Sequence, residues 1–223
     1  MIQLTRASLT YRGKNALSDI SINIPQGQKL ALVGHSGSGK SSLLKLLYNK
    51  REQQGQSTAL IPQEYALVQN LSVFHNVYTG KIHQYATWYN LLNLIKPLKK
   101  PIAEITRILE NLQLSDKLFE PVALLSGGQQ QRTAIARAIM HSASTPGNIL
   151  LADEPVSSLD ESQSRSIMQQ LCREFETVVF SLHDIDLALE FCDRIIGLEQ
   201  GQITLDASTR DLDRTTLLKL YGD

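Results

Sequence analysis

Leu125-Ser126-Gly127-Gly128-Gln129-Gln130-Gln131-Arg132 is the stretch that decides the fold, because of what stands on either side of it. Upstream lies Gly34-His35-Ser36-Gly37-Ser38-Gly39-Lys40-Ser41, and downstream lies Ile149-Leu150-Leu151-Ala152-Asp153-Glu154. Gly34-x-x-x-x-Gly39-Lys40-Ser41 is a complete P-loop pattern, with the apolar run Leu30–Val33 before it and the helical leucines Leu43, Leu44, Leu46 and Leu47 after it. Glycines there let backbone N–H groups converge on phosphate oxygens, and the start of the following helix adds partial positive charge. Asp153 closes an apolar strand, and Glu154 follows at once.

Each motif also has a plain structural reading. A glycine-rich turn need hold no nucleotide, and an Asp-Glu pair before Pro155 can simply start a turn. Their joint presence argues against both. Lys40 is then placed against the β- and γ-phosphates and the Ser41 hydroxyl against Mg²⁺, with His35, Ser36, Gly37, Ser38 and Ser42 completing the loop. Asp153 is a second Mg²⁺ candidate, and Glu154 a candidate general base or polariser for an attacking water. The octapeptide between them has its own design. Ser126 and Gln129 have capping-box spacing, and Gly127 and Gly128 leave first-turn N–H groups open to a phosphate oxygen.

Working outward, Ile20, Ile22 and Ile24 alternate with polar residues as a half-buried strand, and residues 2–10 read as an edge strand. Thr58–Ile61, Ile149–Ala152 and Thr177–Ser181 are further strands, and 49–57 reads as a polar loop. From about residue 72 to 120 the pattern is helical, with Leu91, Leu92, Ile95 and Leu98 near helical spacing. That stretch is read as lobe core. Helices are expected at about 127–141, 160–174 and 184–191, and a closing hairpin around Glu199-Gln200-Gly201. Alternating strands and helices imply an α/β fold with a largely parallel sheet. The expected organisation is a single domain, with a RecA-like core at about 1–63 and 142–223, a helical lobe at about 64–141, and a small, shortened antiparallel β subdomain.

Composition narrows the function. Lys+Arg 22 balances Asp+Glu 22, which argues against a dedicated nucleic-acid binder. Cys172 and Cys192 have no metal or redox spacing and read as buried structural thiols of a reducing compartment. No apolar run approaches the roughly 20 residues that cross a bilayer, and Met1–Arg6 lacks signal-peptide organisation. A soluble or peripheral chain is expected.

The order of these three motifs resembles the ATPase subunit of an ATP-binding cassette (ABC) transporter, from Tyr11 to Gly201. The resemblance implies that the Ser126–Gln129 helix start faces the γ-phosphate held by a second copy, so that ATP joins two subunits head to tail. It implies that Gln63 senses Mg²⁺ and the attacking water, that His183 hydrogen-bonds the γ-phosphate, and that Tyr11 stacks on adenine. It implies that Asp160, in Ser158-Leu159-Asp160, touches the opposite subunit. Integral membrane permease subunits are the implied partners, at the cytoplasmic face of the membrane, with one of their helices docking on the lobe region that holds Trp88, Tyr89, Leu91 and Leu92. Each residue has a duller reading: an exposed turn glutamine, a structural histidine, a strand-end tyrosine, a helix N-cap.

Within the family, Asn76-Val77-Tyr78-Thr79-Gly80-Lys81 and Thr87-Trp88 resemble phosphonate-importer ATPases, as does Ala152 through Asp160. That implies a periplasmic or extracellular solute-binding protein acting through the permease. An exporter or lipoprotein-release ATPase, and a soluble cassette acting on nucleic acid or the ribosome, are the alternatives. One departure is plain: the stretch 41–62 is shorter than in most of the family, with Gln53–Ser57 in place of strands of the small sheet. The chain also ends soon after Gly201, which argues against the long sugar-importer type.

Overall fold

The computed structural model describes residues 1–11, 14–142 and 147–218. Strands β1 (Ile2–Tyr11), β2 (Lys14–Ile24) and β3 (Lys29–Val33) lead into helix α1 (Lys40–Gln53) and strand β4 (Ala59–Ile61). Helices α2 (Val73–Tyr78), α3 (Thr87–Ile95), α4 (Lys99–Asn111) and α5 (Gly127–Ser142) follow. The chain then alternates through β5 (Ile149–Asp153), α6 (Glu161–Glu174), β6 (Thr177–Ser181) and α7 (Ile185–Phe191). It closes with β7 (Arg194–Glu199), β8 (Gln202–Ser208) and α8 (Arg214–Leu218).

Contacts divide these elements into two units. The first holds Met1–Gln63, Pro146–Pro155 and Met168–Asp223; the second holds Glu64–Thr145 and Val156–Ile167. Val156–Ile167 thus groups by its contacts with Glu64–Thr145.

In the first unit, one sheet runs β4-β5-β6-β3-β7-β8, parallel throughout except for β8. A separate antiparallel pair joins β1 to β2. Every residue of β5 and β6 is buried, as continuous apolar runs in a sheet covered on both faces require. Leu30, Leu32, Leu43, Leu47, Leu151, Val179 and Ile196 form one core cluster between the sheet and its coverings. Each fully buried leucine adds about 2 kcal/mol of burial. In the second unit Phe74, Val77, Ile105, Leu109 and Ile135 are fully buried, and the Phe74 ring stacks on Tyr78 at 5.8 Å.

The polar stretch 49–57 is not all loop. α1 runs on to Gln53 and ends on Gly55 in the left-handed region, φ 67°. Gln56 N–H reaches the Arg51 carbonyl at 2.9 Å and Gly55 N–H the Glu52 carbonyl at 2.9 Å, the paired bonds of a Schellman end. Arg51, buried, fans over the shortened segment: Nε donates to Thr58 Oγ1 (2.6 Å), one terminal nitrogen to Gln56 Oε1 (2.8 Å) and the other to the Ser57 carbonyl (3.3 Å). A single guanidinium thus ties the short segment from Gln56 to Thr58 to the end of α1.

Candidate active site

Strand order gathers the site. β4, β5, β6 and β3 are neighbours and parallel, so their carboxyl ends open on one edge. From those ends come Gln63 after β4, Asp153 and Glu154 after β5, His183 after β6, and the glycine loop after β3. The register pairs Leu32 with Ser181 and Ser181 with Asp153, which sets the three loops at one level. A cavity of about 360 Å³ lies there, lined by Ser36, Gly37, Gly39, Lys40, Ser41, Ser42, Gln63, Glu154 and His183. Asn15, Ala16, Gln200 and Gly201 complete the wall.

The loop geometry explains its glycines. A Cβ on Gly34, φ 140°, would lie 2.2 Å from the Leu198 carbonyl oxygen, so the backbone approach is open to glycine alone. Gly39, φ 110°, ends the loop in the left-handed region one residue before α1. Ser38 N–H closes the turn on the His35 carbonyl at 3.1 Å. Lys40 Nζ donates to the carbonyls of Gly34 (2.6 Å) and His35 (3.0 Å). Burial lowers the Lys40 pKa from its ordinary 10.5, while the nearby carboxylates of Glu154 and Asp153 oppose that shift.

Glu154 sits at φ 51°, a strained conformation for a side-chain-bearing residue, and its N–H bonds the Ser181 carbonyl at 3.1 Å. His183 Nε2 lies 2.8 Å from Glu154 Oε1. The next residue, Asp184, caps α7 by accepting from the N–H groups of Asp186 (2.9 Å) and Leu187 (3.1 Å), which fixes the junction that carries His183. Asp153 is buried, and its Oδ1 has no hydrogen-bond partner among the described residues. Asp153 is not itself among the residues lining the cavity, but its orphaned carboxylate oxygen, with the Ser41 hydroxyl and the Gln63 amide that do line it, makes a hard-oxygen donor set whose chemistry fits Mg²⁺.

The remaining predicted residues are placed elsewhere. Gly34, His35 and Ser38 support the loop but do not line the cavity. Tyr11 ends β1, and its side chain lies outside the described residues. Ser126, Gly127, Gly128, Gln129 and Asp160 belong to the second unit and are not among the lining residues. There the capping box forms in both directions: Ser126 N–H donates to Gln129 Oε1 (2.9 Å), and Gln129 N–H to Ser126 Oγ (3.4 Å). A Cβ on Gly127 would meet nothing, whereas one on Gly128 would press on Leu159 and Ser158. Asp160 caps α6, its Oδ1 accepting from Gln163 N–H at 2.9 Å.

Sequence reasoning missed a group of supports. Gln131, fully buried, accepts from Ser158 N–H at 3.2 Å. Tyr65 OH lies 2.9 Å from Ser158 Oγ, and Arg137 donates to the carbonyls of Tyr65 and Ala66, both at 2.6 Å. Tyr65 and Ala66 are left-handed, at φ 59° and 47°. Polar residues on a helix face that ought to be apolar were the only signal. Asn15, Ala16 and Gln200 gave none, because the fold alone brings β2 and the β7–β8 turn to the cavity.

A largely parallel sheet that brings a glycine loop and an acidic strand end to one cavity defines a P-loop nucleotide-hydrolysing protein. The ABC transporter family matches residues 17–157. The phosphonates import ATP-binding protein PhnC 3 of Halalkalibacterium halodurans is 34% identical, across 100% of this chain and 94% of that protein. The phosphonates import ATP-binding protein PhnC of Rhizobium meliloti is 32% identical, across 100% of this chain and 87% of that protein. Among solved structures, a bacterial ABC transporter cassette in dimeric form superposes with a TM-score of 0.79 at 27% identity, covering 95% of this chain and 100% of that one. A dimeric post-hydrolysis cassette bound to ADP and Pi gives 0.76 at 26% identity, with the same coverage. The chain belongs to the ABC transporter family, as the ATP-binding and ATP-hydrolysing subunit of such a transporter. The exporter, lipoprotein-release and nucleic-acid readings are not favoured by these relatives. No helix among the described residues is long and apolar enough to cross a membrane.

Proposed function

We propose that this subunit energises import of a phosphonate-type solute through a separate membrane permease fed by a solute-binding protein. The observation that carries the chemistry is the convergence of Lys40, Ser41, Gln63, Glu154 and His183 on one cavity, with the orphaned Asp153 carboxylate one residue before Glu154. The substrate class rests on the names of the curated relatives, since solute never touches an ATPase subunit of this kind.

Lys40 and the loop N–H groups hold the β- and γ-phosphates of ATP, and Tyr11 stacks on its base. Ser41, Gln63 and Asp153 would hold Mg²⁺, which neutralises charge on the β- and γ-phosphate oxygens. Glu154 takes a proton from, or polarises, the attacking water. His183 holds the γ-phosphate and, through its bond to Glu154, orients that carboxylate. Ser126, Gly127, Gly128 and Gln129 present a capped helix start to the nucleotide of a second copy, and Asp160 touches that copy. The likeness to two dimeric cassettes supports this pairing. Closure around ATP pulls on permease subunits docked at the cytoplasmic face, and hydrolysis releases the pair.

The test is affinity capture of Glu154→Gln with ATP and Mg²⁺ from detergent-solubilised membranes of the source cell. Recovery of a polytopic permease supports the reading, and its uptake of radiolabelled phosphonate assigns the solute. Recovery of soluble nucleic-acid machinery alone overturns it.

A further inference from the structure

Lys40, Ser41, Gln63, Glu154 and His183 take the phosphates, the metal and the attacking water in the reading above, and they include every titratable side chain on the cavity wall. Asn15, Ala16, Gln200 and Gly201 line the same cavity, are uncharged, and have no part in that chemistry.

Gly201 fastens these residues to the phosphate loop. Its N–H donates to the Ser38 carbonyl (3.0 Å), and its own carbonyl accepts from Ser18 N–H (2.8 Å). A Cβ on Gly201 would lie 2.6 Å from the Ala16 carbonyl oxygen, and one on Gly39 would lie 3.0 Å from the same atom. The loop, β2 and the β7–β8 turn are therefore held as one piece. In the β1–β2 register Tyr11 pairs with Lys14 and Thr10 with Asn15. Asn15 is thus one step from the tyrosine assigned to the base, and Ala16 follows it against Gly39 of the phosphate loop. In a nucleotide, ribose is what joins the base to the phosphates.

Gln200 is an unusual choice for its position. Glu199 pairs with Gln202, so Gln200 and Gly201 are the two central residues of the hairpin, at φ 48° and 78°. Positive φ at both is the type I′ pattern, for which Asn-Gly and Asp-Gly are strongly preferred. Glutamine gives up the local fit of asparagine and adds one methylene of reach on the cavity wall. Its carboxamide makes no hydrogen bond among the described residues. Asn15 Oδ1 accepts from Thr10 Oγ1 at 2.9 Å, which fixes that carboxamide and leaves its N–H groups as donors.

A sugar diol calls for uncharged neighbours that can donate and accept, and a carboxamide does both. We infer that Gln200 and Asn15 hold the ribose 2′- and 3′-hydroxyls of ATP and so select a ribonucleotide. The inference rests on the ATP reading above and adds the part of the nucleotide that the phosphate motifs do not touch.

The test is calorimetric titration of the full chain, without Mg²⁺, by ATP, 2′,3′-dideoxyATP and inorganic tripolyphosphate. ATP should bind roughly tenfold more tightly than the dideoxynucleotide, the scale of one or two net hydrogen bonds. Gln200→Asn suits the turn better but shortens the reach. Its urea midpoint should be at or above that of the wild type, while its affinity for ATP falls about fivefold. Its affinity for dideoxyATP and tripolyphosphate should not fall, an outcome that a purely structural turn residue would not produce. Asn15→Ala should narrow the same gap between the two nucleotides. Equal binding of ATP and dideoxyATP by the wild type overturns the assignment, as does full discrimination kept by Gln200→Asn. A wild-type chain that binds none of the three ligands would refute the nucleotide site itself, and the ribose contacts with it.

Discussion

His183 Nε2 stands 2.8 Å from Glu154 Oε1, and the two residues leave adjacent parallel strands whose last paired positions are Ser181 and Asp153. Register alone makes that bond. Glu154 is held in the left-handed region by its N–H bond to Ser181, so its carboxylate is aimed by backbone strain and steadied by the imidazole. Glu154→Gln keeps the size and the contact but cannot take a proton. It should bind ATP normally and hydrolyse it at least about 10²-fold more slowly. His183→Ala should lose a smaller factor in turnover. Near-normal single-turnover hydrolysis by Glu154→Gln would remove that residue from the role of base.

Lys40→Ala separates binding from turnover. The ammonium bridges two loop carbonyls, so the loop backbone itself sets its position. Its loss should weaken ATP affinity roughly tenfold or more, the scale of a lost charge-assisted contact. Calorimetric titration checks this, and an unchanged Kd would contradict the loop assignment.

Gly34 and Gly37 share a positive φ but not their surroundings. A Cβ on Gly34 would strike Leu198 backbone at 2.2 Å, while one on Gly37 would meet nothing. Gly34→Ala should therefore cost more than about 3 kcal/mol, and Gly37→Ala only about 1 kcal/mol for the left-handed backbone. Urea unfolding of both variants decides it; equal costs would mean that packing against β7 does not matter.

Arg51 tests the shortened corner. Arg51→Met removes three hydrogen bonds, to Thr58 Oγ1, Gln56 Oε1 and the Ser57 carbonyl. The expected loss is about 2–4 kcal/mol, and Arg51→Lys should recover little because an ammonium cannot fork across the acceptors. A change below about 0.5 kcal/mol in chemical denaturation would show that the loop supports itself.

Burial raises the Cys172 thiol from an ordinary 9.0 to about 11, with Asp193 adding to the shift and Lys29 opposing it. Burial raises Cys192 further. A thiol raised on folding keeps its proton where the unfolded chain has lost it. Stability should thus be level below pH 9 and fall between about pH 9 and 11. Replacing both cysteines with alanine should flatten that slope. At pH 8 the native chain should react with iodoacetamide about a hundredfold more slowly than a free cysteine.

The sequence by itself determined the fold class and the local pieces of the candidate site. Glycine spacing, strand-end acids and the Ser126–Gln129 cap are local, and their geometry follows from neighbours in the chain. Asp160 and Asp184 read as caps for the same reason. Tertiary structure decided what depends on residues far apart. The strand order put His183 on Glu154 and brought Asn15, Ala16 and Gln200 to the cavity. It put Arg137 on the left-handed Tyr65–Ala66 segment and Arg51 over the shortened loop. It also turned α3 outward. A helical apolar stripe has one period whether it faces a core or solvent, and the stripe read as lobe core, Leu91, Leu92 and Ile95, is exposed. The bonds of Asn90 with Tyr78, Ile82 and Tyr85 and of Asn93 with Leu98, all outside α3, decide which way it faces.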